Sequence, residues 1–220
     1  MYYTQTTTPT VGLGDRVAFY TERNEAEGTS KGTGRHPDKY TYKEALAEVN
    51  RLANVLKGMG VQKGDRVGLF LPMVAELPLA MLACARIGAV HTVVFAGFSK
   101  EALASRLVDA GCKAVITSDG VYRGSKLIPL FKTVDDALAL CEAMGHSIAH
   151  TLVLERLGAG EAAAQLKPGR DKWWHEETAK ASSECPPEWV ESEHPLFILF
   201  TSGCVVWYGY ACRRAEGAIG

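Results

Sequence analysis

A regular alternation of apolar runs with amphipathic segments, between residues 65 and 154, constrains the fold more than any other feature of the sequence. The strand-like runs are residues 66–71, 91–95, 113–117 and 151–154. Helical spacing separates them at residues 74–87, 100–109 and 134–144. Uninterrupted apolar runs are typical of strands buried on both faces. The alternation therefore predicts an α/β fold, a parallel sheet covered by helices on both sides.

An amphipathic helix precedes this block. Thr41-Tyr42-Lys43-Glu44 has the form of a capping box, in which a hydroxyl and a carboxylate bind free amides at a helix start. The apolar residues that follow share one helical face, and they are Ala45, Val49, Leu52, Ala53 and Leu56. Gly58 and Gly60 end the predicted helix.

The flanking regions are less regular. Residues 16–21 are rich in β-forming side chains, and a polar, glycine-containing connection follows them. Residues 158–187 show little periodicity, and the Trp173-Trp174 pair among them predicts a helix packed on the domain surface. Residues 194–201, HPLFILFT, have the pattern of another buried strand.

Composition excludes several classes of protein. With 24 Lys and Arg against 25 Asp and Glu, the net charge of -1 gives no basic surface for a nucleic acid. The six cysteines form no C-x-x-C pair, which favours reduced, buried thiols. The first fifteen residues lack a secretory pattern, and the apolar stretch 67–90 is broken by prolines and charges. We therefore expect a soluble cytoplasmic protein with no membrane partner.

Two predicted strand exits could bind an anion, because ligands of open α/β sheets bind beyond the carboxyl ends of the strands. At one exit, Phe95 precedes Gly97, whose missing side chain lets a ligand approach the backbone. At the other, Arg123-Gly124-Ser125-Lys126 places two cations on either side of a turn. Two cations and free amides suit a phosphate group.

A third exit carries Thr201, Ser202 and Gly203 after the last predicted strand, hydroxyls and a glycine where nucleotide phosphates are often held. Each exit also has a purely structural interpretation, as a tight turn, a solvated turn or a capped turn. From composition and periodicity, the chain is an α/β protein with a candidate anion site, and the reaction stays open.

Longer stretches resemble one family. The run KGDRVGLFLPMVAELPLAMLACARIGAVHTVVFAGFSKEALASRLVDAGCKAVITSDGVYRGSKLIPL is similar to the AMP-forming acetyl-CoA synthetases of the adenylate-forming (AMP-binding) enzyme superfamily. So are YTYKEALAEVNRLANVLKGMGV before it and KTVDDAL, GRDKWWHE and EHPLFILFTSG after it. The resemblance covers residues 15–203, and MLACARIGAVH with FAGFS and YRGSK is typical of the acetate and propionate branch.

The resemblance implies an acetate–CoA ligase. Acetate attacks Mg²⁺-bound ATP to give acetyl-AMP and pyrophosphate, and the thiol of coenzyme A then displaces AMP. In the family, the turn matching Arg123, Gly124, Ser125 and Lys126 holds the phosphate-bearing nucleotide end of coenzyme A, beside the segment matching Phe95 to Gly97. The residues matching Thr201, Ser202 and Gly203 begin the loop that binds the ATP phosphates. The implied partners are small molecules: acetate, ATP and coenzyme A.

The sequence departs from the family after Gly203, where CVVWYGYACRRAEGAIG replaces the lysine-containing phosphate loop. We therefore expect a divergent segment at residues 1–14, a partial AMP-binding domain at 15–203 and an unrelated tail at 204–220, the last from an intron or a shifted reading frame. The family's acetate pocket, magnesium ligand and assisting lysine have no counterpart in the sequence. No catalytic residue or metal ligand is assigned.

Three interpretations of the chain remain open. It is part of an acetate–CoA ligase that is inactive by itself, or a non-catalytic module that binds coenzyme A or a nucleotide, or a poorly folded truncation product. In the last case, the strand at residues 196–200 is expected to lack a neighbour on one side and to favour aggregation. Residues 65–154 are expected to be the best ordered.

Overall fold

The computed structural model describes residues 12–21, 39–157, 165–201, 204–208 and 212–213, with the backbone only from residue 201 onward. The helices are α1 Tyr42–Gly58, α2 Glu76–Arg86, α3 Lys100–Ala110, α4 Leu130–Ala143 and α5 Trp174–Lys180. The strands are β1 Val17–Tyr20, β2 Lys39–Thr41, β3 Arg66–Phe70, β4 Val90–Val93, β5 Cys112–Ser118, β6 Val121–Arg123, β7 Lys126–Ile128, β8 His150–Leu154, β9 Asp171–Trp173, β10 Phe197–Thr201, β11 Cys204–Tyr208 and β12 Cys212–Arg213.

Eight strands form the main sheet, in the order β12-β11-β10-β4-β3-β5-β8-β9. The six from β10 to β9 are parallel, and β11 and β12 are antiparallel to their neighbours. Two hairpin-like pairs, β1 with β2 and β6 with β7, stand apart from this sheet. The predicted α/β fold with a parallel sheet is confirmed.

Both faces of the sheet are covered by apolar side chains from helices. On one face α1, α2 and Trp174 of α5 pack against alternate residues of β3, β5 and β8. On the other face α3 and α4 pack against the remaining alternate residues of β3 and β5. Gly68 of β3 lies directly under α3, because a Cβ there would come within 2.5 Å of Leu107 Cδ2. The two-sided burial explains why the central strands are apolar without interruption.

Caps fix where two of the helices start. Thr41 and Glu44 form the predicted capping box of α1, with Glu44 N donating to Thr41 Oγ1 at 3.2 Å and Thr41 N donating to Glu44 Oε2 at 2.8 Å. Ala102 N donates to Ser99 Oγ at 3.3 Å, which caps α3. Gly111, at φ +62°, ends α3 in the left-handed conformation that favours glycine.

Residues 165–187 contain more regular structure than their sequence indicates. β9 adds a sixth parallel strand beside β8, and α5 follows it directly. Trp173 ends the strand, whereas Trp174 is the first residue of the helix and is 6% exposed. The predicted helix packed on the domain surface is therefore confirmed from Trp174 onward, and the Trp174 side chain anchors it in the core. A three-residue strand is too short to show a period in sequence.

β10 has neighbours on both sides, so the expectation of an unpaired strand at residues 196–200 is wrong. Two of its residues pair in parallel with His91 and Thr92 of β4, and all five pair antiparallel with β11. β11 and β12 lie in the segment that was expected to be an unrelated tail, residues 204–220. Backbone hydrogen bonding along the outer edge of β10 explains the pairing, since it satisfies peptide groups that would otherwise be free.

Four described cysteines, Cys84, Cys112, Cys141 and Cys185, are buried and unpaired, as expected for reduced thiols. The apolar stretch 67–90 forms β3, α2 and the start of β4. Within the described ranges, no helix is both long and apolar enough to cross a bilayer.

His91 should make the stability of this fold depend on pH. It is 3% exposed and stacks on Phe197 at 5.8 Å between ring centroids, and burial lowers its pKa to about 4. Below about pH 6.5 the unfolded chain takes up a proton that the folded chain does not, so stability falls with pH down to about 4. H91F keeps an aromatic ring but has no titrating group. Between pH 7.5 and 5, we expect the unfolding free energy of the wild-type chain to fall by about 2 kcal/mol more than that of H91F.

Urea denaturation of both proteins at the two pH values measures this difference. An equal loss of unfolding free energy in the wild-type chain and in H91F would contradict the role of His91.

Candidate functional site

A cleft of about 780 Å³ opens where the parallel strands end. Its walls come from the residues after β3, β4, β5 and β8 and from Leu199 of β10. This is the carboxyl edge of the sheet, where ligands of open α/β folds bind. Two of the three predicted strand exits therefore meet at one cleft.

Phe95 forms one wall, in the loop between β4 and α3. Its ring is 57% exposed and meets Phe98 edge to face, with 5.7 Å between ring centroids. Gly97 does not line the cleft but determines where the ring can lie, because a Cβ at that position would be 2.4 Å from Phe95 Cε1. Room for this ring is a local reason for glycine at position 97, and the approach of a ligand to its backbone stays a prediction.

The predicted R-G-S-K turn is the tip of the β6–β7 hairpin. Arg123 pairs with Lys126 across a two-residue turn, and Gly124 has φ +61°, which a side chain would strain. Arg123 and Gly124 line the cleft, whereas Ser125 and Lys126 are exposed at its rim. The Arg123 guanidinium carbon lies 5.8 Å from the centre of the Phe95 ring. The structure therefore places a cation beside an aromatic ring at this cleft.

Asp119 anchors the base of the hairpin, and the sequence reasoning missed it. The side chain is nearly buried, and its carboxylate accepts hydrogen bonds from the amides of Gly120 at 2.7 Å, Arg156 at 3.0 Å and Leu157 at 2.8 Å. Burial raises the pKa of Asp119, against the opposing effect of these amides and of the Arg156 charge. An acidic residue directly after a buried strand, followed by glycine, was the signal available in the sequence.

Arg156, which the sequence reasoning also missed, lines the same cleft from the segment after β8. Arg123 and Arg156 are the charged residues among the described residues of the lining, and both are cations. Most other lining residues are apolar, with Thr21 and Tyr122 as polar exceptions. The cleft is therefore suited to a ligand that joins anionic groups to an aromatic or apolar body.

The third predicted exit is only partly described. Thr201 is the last residue of β10, two residues beyond Leu199 of the cleft wall, and its side chain lies outside the described residues. Ser202 and Gly203 also lie outside them. Over the described ranges, no group of three or more His, Cys, Asp or Glu side chains is arranged to hold a metal ion.

A second groove, of about 840 Å³, lies between the starts of α1, α2 and α5. None of the predicted site residues lines it. Its described lining includes the carboxylates of Asp15, Glu44, Glu48, Glu76 and Glu155. Lys43 and Arg51 also line it, but the carboxylates outnumber these cations, which makes the groove the poorer place for a phosphate, although it is slightly the larger of the two.

Comparison with known proteins gives a consistent result over most of the chain. The family described as AMP-binding enzyme matches residues 12–204. An acetyl-coenzyme A synthetase of Drosophila melanogaster is 47% identical over 204 residues, 87% of this chain and 29% of the fly protein. One from Vibrio cholerae serotype O1 is 54% identical, and acetyl-coenzyme A synthetase 2 of Pseudomonas putida is 52% identical, each over 74% of this chain and 24% of the relative. The chain thus spans 24–29% of the length of these relatives.

The β6–β7 hairpin should need glycine at position 120 in order to keep its position in the fold. A Cβ there would lie 2.8 Å from the carbonyl oxygen of Ile128 and 2.7 Å from Leu157 Cδ1. Because the carbonyl belongs to the backbone, G120A should cost about 1–3 kcal/mol of unfolding free energy. Gly58 offers a matched control, since a Cβ there meets nothing within 4 Å.

Chemical denaturation of G120A and G58A measures the two effects. We expect G58A to be neutral or slightly stabilising, as alanine restricts the unfolded chain. Equal stability of the two variants would show that the hairpin base accommodates a methyl group.

Proposed function

Since this chain belongs to the AMP-binding enzyme family, we propose that it is part of an AMP-forming acetate–CoA ligase. In this reaction acetate and ATP give acetyl-AMP and pyrophosphate, and the coenzyme A thiol then takes the acetyl group and releases AMP. The similarity to acetyl-coenzyme A synthetases, at 47–54% identity in the three relatives above, supports this assignment.

The observation that carries the proposal for this chain is Arg123 beside Phe95 at the cleft mouth. Coenzyme A ends in an adenosine that carries a 3′-phosphate, so it needs an aromatic or apolar surface next to a cation. Phe95 supplies the surface, and Arg123 with Lys126 supplies the charge. Gly97 and Gly124 keep the ring and the turn in place, and Ser125 adds a hydroxyl at the tip.

The pairing of Arg123 with Lys126 gives an independent reason to expect an anion here. The two residues face each other across the hairpin. Like charges directly opposite each other on neighbouring strands destabilise the pair. A phosphate bound between them would remove this repulsion and form charge-assisted hydrogen bonds with both.

ATP is assigned to Thr201, Ser202 and Gly203, on the resemblance of this segment to the start of the family's phosphate loop. The sequence after Gly203 has no lysine with which to continue that loop. Mg²⁺ would accompany ATP as a substrate ion, and we assign it no ligand on the described residues. We therefore expect the isolated chain to bind coenzyme A without forming acetyl-CoA.

We place the protein in the cytoplasm, with small molecules as its partners. The unpaired state of its four described cysteines supports a reducing compartment.

Coenzyme A should stabilise the chain against heat, whereas ATP should not. A ligand at a hundred times its dissociation constant adds about 2.7 kcal/mol to the unfolding free energy, which raises the Tm by about 5 °C or more in a chain of this size. Calorimetry with each ligand measures the shift. A shift with ATP and none with coenzyme A would favour a nucleotide-binding module, and the lack of any cooperative transition would favour a poorly folded product.

Replacement of both hairpin cations should abolish recognition of the 3′-phosphate. We expect the wild-type chain to bind coenzyme A about tenfold more tightly than 3′-dephospho-coenzyme A, because hydrogen bonds to charged groups contribute about 1.5–3 kcal/mol. R123A/K126A should bind the two ligands equally. Isothermal titration of both ligands with both proteins measures the difference.

The control is K57A/K180A, which also removes two exposed cations but at helix ends that do not line the cleft. It should keep the wild-type preference for coenzyme A. If the preference survives in R123A/K126A, the hairpin is not the 3′-phosphate site.

A further inference from the structure

The cleft has a second cation that the resemblance did not point to. Arg156 lines it from the segment after β8, whereas Arg123 lines it from the hairpin after β5. Their backbones belong to different strand exits, and β5 and β8 are parallel neighbours in the sheet. Two arginines on adjacent exits therefore line one cavity that is otherwise mainly apolar.

The Asp119 carboxylate connects these two exits. Both of its oxygens accept a hydrogen bond from the amide of Arg156 at 3.0 Å, and Oδ2 also accepts one from Leu157 at 2.8 Å. Its own amide donates to Leu154 O at 3.0 Å, so the backbone and side chain of Asp119 both bind the end of β8. The hairpin begins two residues later, at Val121.

Because Asp119 is buried, the loss of these hydrogen bonds would cost free energy that water cannot restore. Asp119 is 3% exposed, and water cannot readily replace the acceptor if the carboxylate is removed. The backbone at Arg156 would lose its fixed position, since the segment after β8 is bound here through the amides of two successive residues.

We propose that Arg156 is a second anion-binding residue of the cleft and that Asp119 is the positioning residue that holds it there. This inference rests on the proposed coenzyme A site and deepens it. The nucleotide end of coenzyme A carries two separate anionic groups, the 3′-phosphate and the 5′-diphosphate. The hairpin binds the first, and Arg156 binds the second through its planar guanidinium, which matches phosphate oxygens in pairs.

The two anion sites can be told apart because 3′-dephospho-coenzyme A lacks the 3′-phosphate and keeps the 5′-diphosphate. R156A should weaken the binding of coenzyme A and of 3′-dephospho-coenzyme A by the same factor, about tenfold. The preference for coenzyme A should be unchanged. R123A/K126A should do the reverse and remove the preference. R156K should recover part of the affinity, since a lysine keeps the charge without the fork.

A double-mutant cycle tests Asp119. D119N should weaken the binding of both ligands in the wild-type background and have no further effect in R156A, because it acts through Arg156. A purely structural role would produce the same loss in both backgrounds. If D119N does not unfold cooperatively, D119E takes its place, since it keeps the charged acceptor and displaces it by one methylene.

The outcomes separate the two proposals. Wild-type affinity for both ligands in R156A would overturn the role of Arg156 and leave the coenzyme A site intact. An added loss from the Asp119 variant in the R156A background would overturn the positioning role. Failure of the wild-type chain to bind coenzyme A at all would overturn the proposed function, and this inference with it.

Discussion

The rest of the structure depends on burial of the central strands on both faces. β3 lies between β4 and β5, with α1 and α2 above it and α3 and α4 below. Such strands can carry few polar side chains, because a buried polar group without a partner costs free energy. Charge and backbone irregularity are therefore concentrated at the strand ends. The cleft forms there because it is the nearest place where arginine and an irregular backbone can coexist with this core.

The same constraint explains how much of the fold the sequence predicts. β3, α2, β4, α3 and β5 are all recognisable, because two-sided burial leaves long apolar runs and each helix has a clear face. α4 begins at Leu130, four residues before the predicted start at residue 134. β9 has three residues and β12 has two, too few to show a period. β11 is set by backbone pairing with β10, and such pairing depends on a neighbouring edge rather than on local pattern.

The candidate site, like the fold, could be predicted from the sequence only in part. Phe95 and the R-G-S-K turn were predicted because they combine unusual residues within a few positions, and the structure places Phe95 and Arg123 within 5.8 Å. Asp119 and Arg156 were not predicted as site residues, because neither stands in an unusual combination of residues within its own segment. Their significance arises from the pairing of β5 with β8, which brings positions 37 residues apart into hydrogen-bonding contact. Residues that act through tertiary contacts of this kind leave at most a weak local signal, such as the Asp119-Gly120 pair directly after β5.

The two grooves at this edge of the sheet differ in the charge of the residues that line them. Carboxylates outnumber cations in the lining of the groove between α1, α2 and α5, whereas both charged residues among the described lining of the cleft are arginines. Asp119 lies beside the cleft without lining it, and its carboxylate offsets only part of the charge because Arg156 acts on it while Arg123 does not. Its carboxylate is turned toward three backbone amides and is nearly buried. The Asp119 carboxylate thus fixes the backbone beside the cleft, and the two arginines give the lining of the cleft its positive charge. If both arginines bind anions as we propose, a ligand with two anionic groups and an aromatic body occupies both of them, whereas a single phosphate occupies one.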